Sequence, residues 1–381
     1  MNTLARLIAY YLPQFHPIPE NDEWWGKGFT EWTNTAKAKP LFPGHYQPHI
    51  PTDLGFYDLR VPEARAAQAE LARTYGIEAF CYYHYWFAGR RLLERPFNEV
   101  LKSGEPDFPF CLCWANETWT GRWHGNPGRI LIEQTYPGTK DDINHFYCLL
   151  DAFADRRYMR VDGRPVFIVY NPDQLPNPRK TTDCWRELAS RAGLKGLYLI
   201  GAANKPWSAS KNGFDAATTR KMFHRKALGE MKGLRKVKRL IRKFQGYPVD
   251  IYSYKKILPH LFMAEASMPD VHPCVIPNWD NTPRCGMEGL AFYGSTPELF
   301  RKHLRATLEQ VSLKPFEKRL VFVKSWNEWA EGNHLEPDLK FGKAYLEIIR
   351  EEVCAKPASR HTDRTYERYP TAKEQEKAYT P

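Results

Sequence analysis

Eight short apolar runs recur along the chain, at 6–12, 76–86, 108–115, 165–170, 196–202, 214–219, 272–279 and 319–326, each closed by polar residues or by Pro and Gly. Most are continuous rather than alternating, as in "PVFIVY" and "RLVFVK", which is how strands covered on both faces of a parallel sheet read. Between them run segments with a 3.6-residue rhythm at 62–76, 92–104, 139–155, 181–193, 252–267, 296–312 and 343–354. Thr296-Pro297-Glu298 is a helix start, and Gly76 and Gly193 are helix stops. Strand and helix alternating about eight times predict an α/β fold, a single (β/α)8 TIM-like barrel with elaborated βα loops. Its weakest joint lies between Gly201 and Phe214, where no helix is evident. A doubly wound sheet would place a Gly-rich phosphate turn after the first strand, and "AYYLPQFHP" contains no glycine.

One catalytic domain is expected over 1–354, with a basic insertion at about 221–245 in the sixth βα loop and a polar tail over 355–381. The 43% apolar content of 381 residues supports a barrel core. An aromatic share of 14%, with 12 Trp and 21 Tyr, suits a cleft that stacks on ring-shaped ligands. The net charge of +11 concentrates between Arg220 and Lys243 and between Lys356 and Lys377. The first of these stretches interleaves basic and apolar residues at helical spacing, so it reads either as a solvated helix face or as a peripheral contact with an anionic membrane surface. Nucleic acid is not an expected partner, because neither a zinc-finger spacing nor an RNP-type motif accompanies the charge. Eight cysteines without a CxxC pair suggest reduced thiols and a cytoplasmic protein. The N-terminal apolar stretch breaks at Pro13 and lacks a leader pattern, and no window approaches a membrane span. Without HxH or HExxH spacing, neither a metal nor another cofactor is expected.

In a barrel of this kind function collects at the C-terminal ends of the strands, and the polar residues fall there. The first strand leads to Tyr11, Gln14 and Trp32, the second to His84, Tyr85 and Trp86, and the third to Trp114, Asn116, Glu117 and Trp119. The fourth ends at Tyr170, the seventh at Asn278, Trp279 and Asp280, and the eighth at Trp326, Asn327, Trp329 and His334. Flat rings beside amides and carboxylates are what an oligo- or polysaccharide cleft needs, while the turns entering the strands are plain. Glycoside cleavage requires two carboxyl groups at one anomeric carbon, and Glu117, Glu328 and Glu331 are eligible. Glu328 and Glu331 flank Trp329 and precede Gly332, so a tight loop would turn both into one cavity.

The stretches "IAYYLPQFHPIPENDEWWGKGFTEW", "GIEAFCYYHYWF", "WANETWT" and "SWNEWAEGNHLEPD" resemble the WbsX family of bacterial polysaccharide-biosynthesis loci, often labelled lipopolysaccharide or O-antigen glycosyltransferases. The resemblance extends to about residue 353. That family is in turn similar to the endo-acting α-mannosidases of glycoside hydrolase family 99, whose motif Glu-Trp-His-Glu-Gly matches Glu328-Trp329-Ala330-Glu331-Gly332. The resemblance implies a retaining reaction in which Glu328 is the base on the sugar 2-hydroxyl and Glu331 the general acid/base. Ala330 stands where the related enzymes have histidine, which removes a substrate contact. A second arrangement pairs an Asn-Glu acid/base, Asn116-Glu117, with Glu328 as nucleophile. Three functions follow as expectations: a glycosidase or transglycosylase acting on cell-surface polysaccharide or its lipid-linked precursor, a glycosyltransferase, or a silent glycan-binding barrel. The basic insertion would hold such a protein at the inner leaflet of the membrane.

Overall fold

The computed structural model describes residues 3–121, 126–203, 207–219 and 249–354, together with Val237, Leu240, Ile241 and Phe244. The tail over 355–381 and all but four residues of the basic insertion lie outside the described residues.

A ring of parallel strands forms the centre: β1 Arg6–Tyr11, β2 Ala79–Phe87, β3 Phe110–Trp114, β4 Arg164–Val169, β5 Tyr198–Ala203, β6 Ala216–Thr219, β7 Val271–His272, β8 Cys274–Val275 and β9 Leu320–Val323. Hydrogen bonding runs β7-β6-β5-β4-β3-β2-β1-β9-β8. The two ends meet because β7 and β8 are halves of one segment broken at Pro273, which has no N–H to give. Val271 and His272 pair with Ala217 and Thr218, while Cys274 and Val275 pair with Phe322 and Val323. The expected run at 272–279 is therefore strand only as far as Val275.

The helices form where start and stop signals bracket an apolar stripe. They are α1 Pro19–Trp25, α2 Glu31–Lys37, α3 Pro62–Thr74, α4 Arg95–Ser103, α5 Thr139–Ala154, α6 Pro178–Arg191, α7 Tyr254–Ile257, α8 Thr282–Cys285, α9 Pro297–Val311 and α10 Ala344–Val353. In α9 the Thr296 hydroxyl accepts from Leu299 N at 3.3 Å, Pro297 opens the first turn, and Phe300, His303, Leu304, Thr307, Leu308 and Val311 bury one face. The rhythm over 252–267 predicts one helix, but the structure holds only α7 and two 3-10 turns, Leu258–His260 and Ala264–Ser267. Pro259 removes the donor that a continuing helix needs. The preceding Asp250–Ser253 instead pairs in parallel with Leu290–Tyr293, outside the ring. The joint between Gly201 and Phe214 is a single 3-10 turn, Ser210–Asn212, among the described residues. Gly201 has no side chain because Trp207 lies against it where a Cβ would be.

Alternation along the strands decides what faces the interior of the ring. Tyr10 stacks there on Tyr83 and Phe322, with ring centroids at 5.5 and 5.4 Å. The neighbouring Tyr11 points outward and donates to Gln68 of α3 at 2.6 Å. All eight cysteines carry free thiols.

Candidate active site

The segment following β9 makes a compact excursion. Asn327–Glu328 pairs antiparallel with Asn333–His334, and one 3-10 turn, Trp329–Glu331, joins them. Gly332 closes the turn at φ 61°, with Asp280 packed so tightly that a Cβ would sit 2.9 Å from Asp280 Cβ. The Asp280 N–H donates to the Glu331 carbonyl at 2.6 Å, which ties this turn to the loop after β8. Both glutamates are thereby turned toward one cation. Arg284, on α8, donates to Glu328 Oε2 at 3.0 Å and to Glu331 Oε1 at 2.5 Å. Its third carboxylate partner is Glu31 of α2, which is wholly buried and accepts two Arg284 N–H groups at 2.9 and 2.5 Å. Gln14 donates to the other Glu31 oxygen at 3.4 Å.

Burial, followed by the charge of Glu331, pushes the Glu328 carboxyl up to about 7, against the opposing pull of Arg284 and Lys324. Such a group is half ionised near neutrality and suited to move a proton. Burial raises the Tyr83 and Tyr85 phenols well above their ordinary value, and the Glu328 charge adds to the effect at both, so these side chains present hydroxyls to the site. Lys324 is the first residue beyond β9. Its ammonium bonds the Tyr170 hydroxyl at 3.3 Å and lies 5.6 Å from the Tyr170 ring and 5.3 Å from the Trp279 ring. Burial works against its charge, but Tyr170, Glu331 and Glu328 outweigh it and raise the pKa.

Of the residues expected from the sequence, Glu328, Glu331, Tyr85, Tyr170 and Trp279 gather here, and Trp119, half-buried, packs 5.0 Å from the Tyr85 ring. Others serve the frame. His84 and Trp86 alternate with Tyr85 on β2 and therefore face the helices. His84 bonds His145 of α5 at 2.9 Å, Trp86 stacks on the same ring at 4.8 Å, and Trp114 packs edge-on to it at 4.7 Å. Asn116 is buried as a clasp, exchanging hydrogen bonds with the Asn171 backbone at 2.8 and 2.9 Å. Asn327 does the same with the backbone of Leu12. Both Asp280 oxygens are taken, by His45 and Gln47 on one side and Thr282 on the other, so no lone pair is directed at a sugar. Trp326 and Trp329 have no exposed face left for stacking. Trp329 lies between His334, stacked at 3.8 Å, and Trp32, while its N–H donates to Glu336 at 2.6 Å. Trp32 donates to the Tyr57 carbonyl at 2.7 Å. Asn278 is half-buried, with its side-chain oxygen unpaired. Glu117 is exposed and is not among the carboxylates on Arg284.

The sequence reading missed Glu31, Arg284, Lys324 and Tyr83. Period two along β2 and β9 carried the signal for Tyr83 and Lys324. Nothing local marks Glu31 and Arg284, which meet across 253 residues. Among the described residues, His49, His334 and Asp338 bring ligand-type atoms within 4.8 Å of one another, although sequence spacing gave no hint of such a group. In this structure the two rings bond each other at 2.8 Å.

Comparisons with known proteins bear on this site. The profile of a family described as "Glycosyltransferase WbsX" matches residues 7–349. The uncharacterized protein WxcX from Xanthomonas campestris pv. campestris strain B100 is 39% identical over 357 residues, 93% of this chain and 50% of the relative. The chain thus spans about half the length of the curated relatives it matches. Among solved structures, a glycoside hydrolase-like protein aligns with a TM-score of 0.59 at 15% identity, covering 92% of this chain and 94% of that one. A GH99 endo-α-mannosidase from Bacteroides thetaiotaomicron aligns with a TM-score of 0.51 at 14% identity, covering 91% and 95%. At these identities the likeness concerns the barrel fold.

Proposed function

From the premise that the chain belongs to the glycosyltransferase WbsX family, we propose that it is a carbohydrate-active enzyme, a retaining endo-glycosidase or transglycosylase acting on bacterial cell-surface polysaccharide or its lipid-linked precursor. The observation that carries this reading is the pair Glu328 and Glu331 held on one Arg284 at the C-terminal mouth of the barrel. Glu328 takes the proton of the sugar 2-hydroxyl, and that oxygen attacks C1 to close a 1,2-anhydro ring. As the C1–O bond to the leaving group breaks, Glu331 gives its proton to the departing oxygen. Glu331, now a carboxylate, removes a proton from water or from a glycan hydroxyl, which attacks C1 and opens the ring. The 2-oxygen recovers its proton from Glu328. Two inversions at C1 leave its configuration unchanged.

Arg284 keeps both carboxylates in place, and Glu31 and Gln14 hold Arg284 as positioning residues. Tyr83 and Tyr85 supply hydroxyls to the sugar, and Trp119 and Trp279 supply faces for its ring. Catalysis in the cytoplasm beside the inner membrane accords with the free thiols and the basic insertion. No helix among the described residues is long and apolar enough to cross a membrane.

The test is incubation of wild type, Glu328→Gln, Glu331→Gln and Glu117→Gln with bacterial O-polysaccharides and lipid-linked oligosaccharides, reading new reducing ends by mass spectrometry. Cleavage by wild type and Glu117→Gln, with the other two inactive, is the expected result. Loss in Glu117→Gln with survival in Glu331→Gln moves the acid/base role to Glu117. Elongation of an acceptor only when a nucleotide-sugar is added supports the transferase reading, which rests on the family's description.

A further inference from the structure

Lys324 is a cation that the proposed cycle does not use. It is 7% exposed and projects from the end of β9 toward Tyr170, at the end of β4 on the opposite side of the ring, so its ammonium lies over the barrel interior. An ammonium has three N–H donors. Among the described residues one goes to the Tyr170 hydroxyl, no carboxylate oxygen lies within ion-pair distance, and the Tyr170 and Trp279 rings flank the group at 5.6 and 5.3 Å. A buried ammonium with donors to spare is costly unless an acceptor arrives.

The charge balance of the site says what kind of acceptor. In the proposed cycle the Glu328–Glu331 pair holds one proton between them, and their oxygens, like those of Glu31, bond Arg284. Two negative charges then face two positive ones, but the carboxylates act on Lys324 only through space while they bond the guanidinium, and among the described residues the Tyr170 hydroxyl is its hydrogen-bond partner. We infer that the cleft takes a sugar bearing an oxyanion, a carboxylate or a phosphate, which the Lys324 ammonium binds beside the Trp279 ring. This deepens the glycosidase reading and rests on it for the one proton shared by Glu328 and Glu331. The residues that read the anion are distinct from those that move protons, so specificity and turnover are separable.

The experiment titrates glucose, glucuronate and glucose 6-phosphate into the Glu331→Gln protein, following tryptophan fluorescence, in the Lys324, Lys324→Met and Lys324→Arg backgrounds. One of the acidic sugars should bind about ten- to a hundredfold more tightly than glucose, the range of a charge-assisted hydrogen bond. That preference should vanish with methionine, survive with arginine and weaken with salt. Which acidic sugar wins distinguishes carboxylate from phosphate. Equal affinity for all three, including none measurable for any, overturns the inference, as does a preference indifferent to Lys324→Met. Binding needs no turnover, so the two readings fail separately. An oxyanion preference in a protein that cleaves no glycoside removes the glycosidase reading alone, whereas cleavage of acidic and neutral glycans alike, with both unaffected by Lys324→Met, removes this one alone.

Discussion

Replacing Gly332 by alanine probes the turn that brings the two glutamates together. The residue sits at φ 61°, in the left-handed region, where an L side chain costs about 1–2 kcal/mol. The new Cβ would lie 2.9 Å from Asp280 Cβ and 3.1 Å from Asp280 N, well inside ordinary contact. Asp280 cannot step back, since its N–H holds the Glu331 carbonyl and its carboxylate holds His45, Gln47 and Thr282. Overpacking of this kind adds about 1–3 kcal/mol, so Gly332→Ala should lose about 2–5 kcal/mol in all. Gly104 provides the control: it lies at φ 75° with nothing within 4 Å of its would-be Cβ, and Gly104→Ala should show the conformational part alone. Urea unfolding followed by tryptophan fluorescence measures both. Displacement of Glu331 by about 1 Å should also lower glycan cleavage by about a hundredfold, with Gly104→Ala unaffected. Equal losses of stability in the two variants would refute the claim that the Asp280 contact fixes this turn.

Three further outcomes are expected. In the proposed cycle Glu328 acts ionised, and its carboxyl is pushed up to about 7, so kcat/KM should fall as pH drops through neutrality. Arg284→Met removes a cation that lowers this value, and the acid limb should move up by about one pH unit or more; a limb that stays or moves down contradicts the assignment. Glu336 is wholly enclosed, and its carboxyl is pushed from 4.5 up to about 7 by burial, which outweighs hydrogen bonds from Trp329, Gln68 and Tyr57. Because the folded state holds this proton more tightly, its stabilising contribution is complete below about pH 4.5 and is lost as pH rises to about 7, a change of about 3 kcal/mol. Glu336→Gln should flatten that part of the stability–pH curve in urea unfolding, and an unchanged slope would place the proton elsewhere. The helical residues Val237, Leu240, Ile241 and Phe244 are exposed and spaced as one apolar stripe within the basic insertion. The protein should co-sediment with anionic vesicles at low salt and release at high salt, and absence of binding at low salt removes the membrane contact.

The eight strands of the ring, with β7 and β8 taken as one, were legible in the sequence, most of them because a parallel strand buried on both faces reads as a continuous apolar run. The long helices were legible for the same kind of reason, as Pro62, Pro297 and the glycines at 76 and 193 mark ends that local chemistry alone dictates. Local pattern also placed Glu328, Trp329, Glu331 and Gly332 in one tight loop. It failed where the outcome depended on an address far along the chain. Whether a polar residue at a strand end faces the barrel interior or the scaffold turned on a register of one residue, which sent Tyr85 inward and His84 and Trp86 toward α5. Asn116, Asn327 and Asp280 looked like sugar ligands, yet loop backbone groups took the two amides and the His45, Gln47 and Thr282 side chains took the Asp280 carboxylate, since a buried polar group without a partner is costly. The sequence by itself determined the barrel and placed the two glutamates in one tight loop after its last strand. Only the tertiary structure decided what surrounds that pair: Glu31 and Arg284 meet across 253 positions, and Lys324 reaches Tyr170 across the ring. An ion pair or a buried charge is set by distance in space and by exclusion of water, and neither is written in the spacing of residues along a chain.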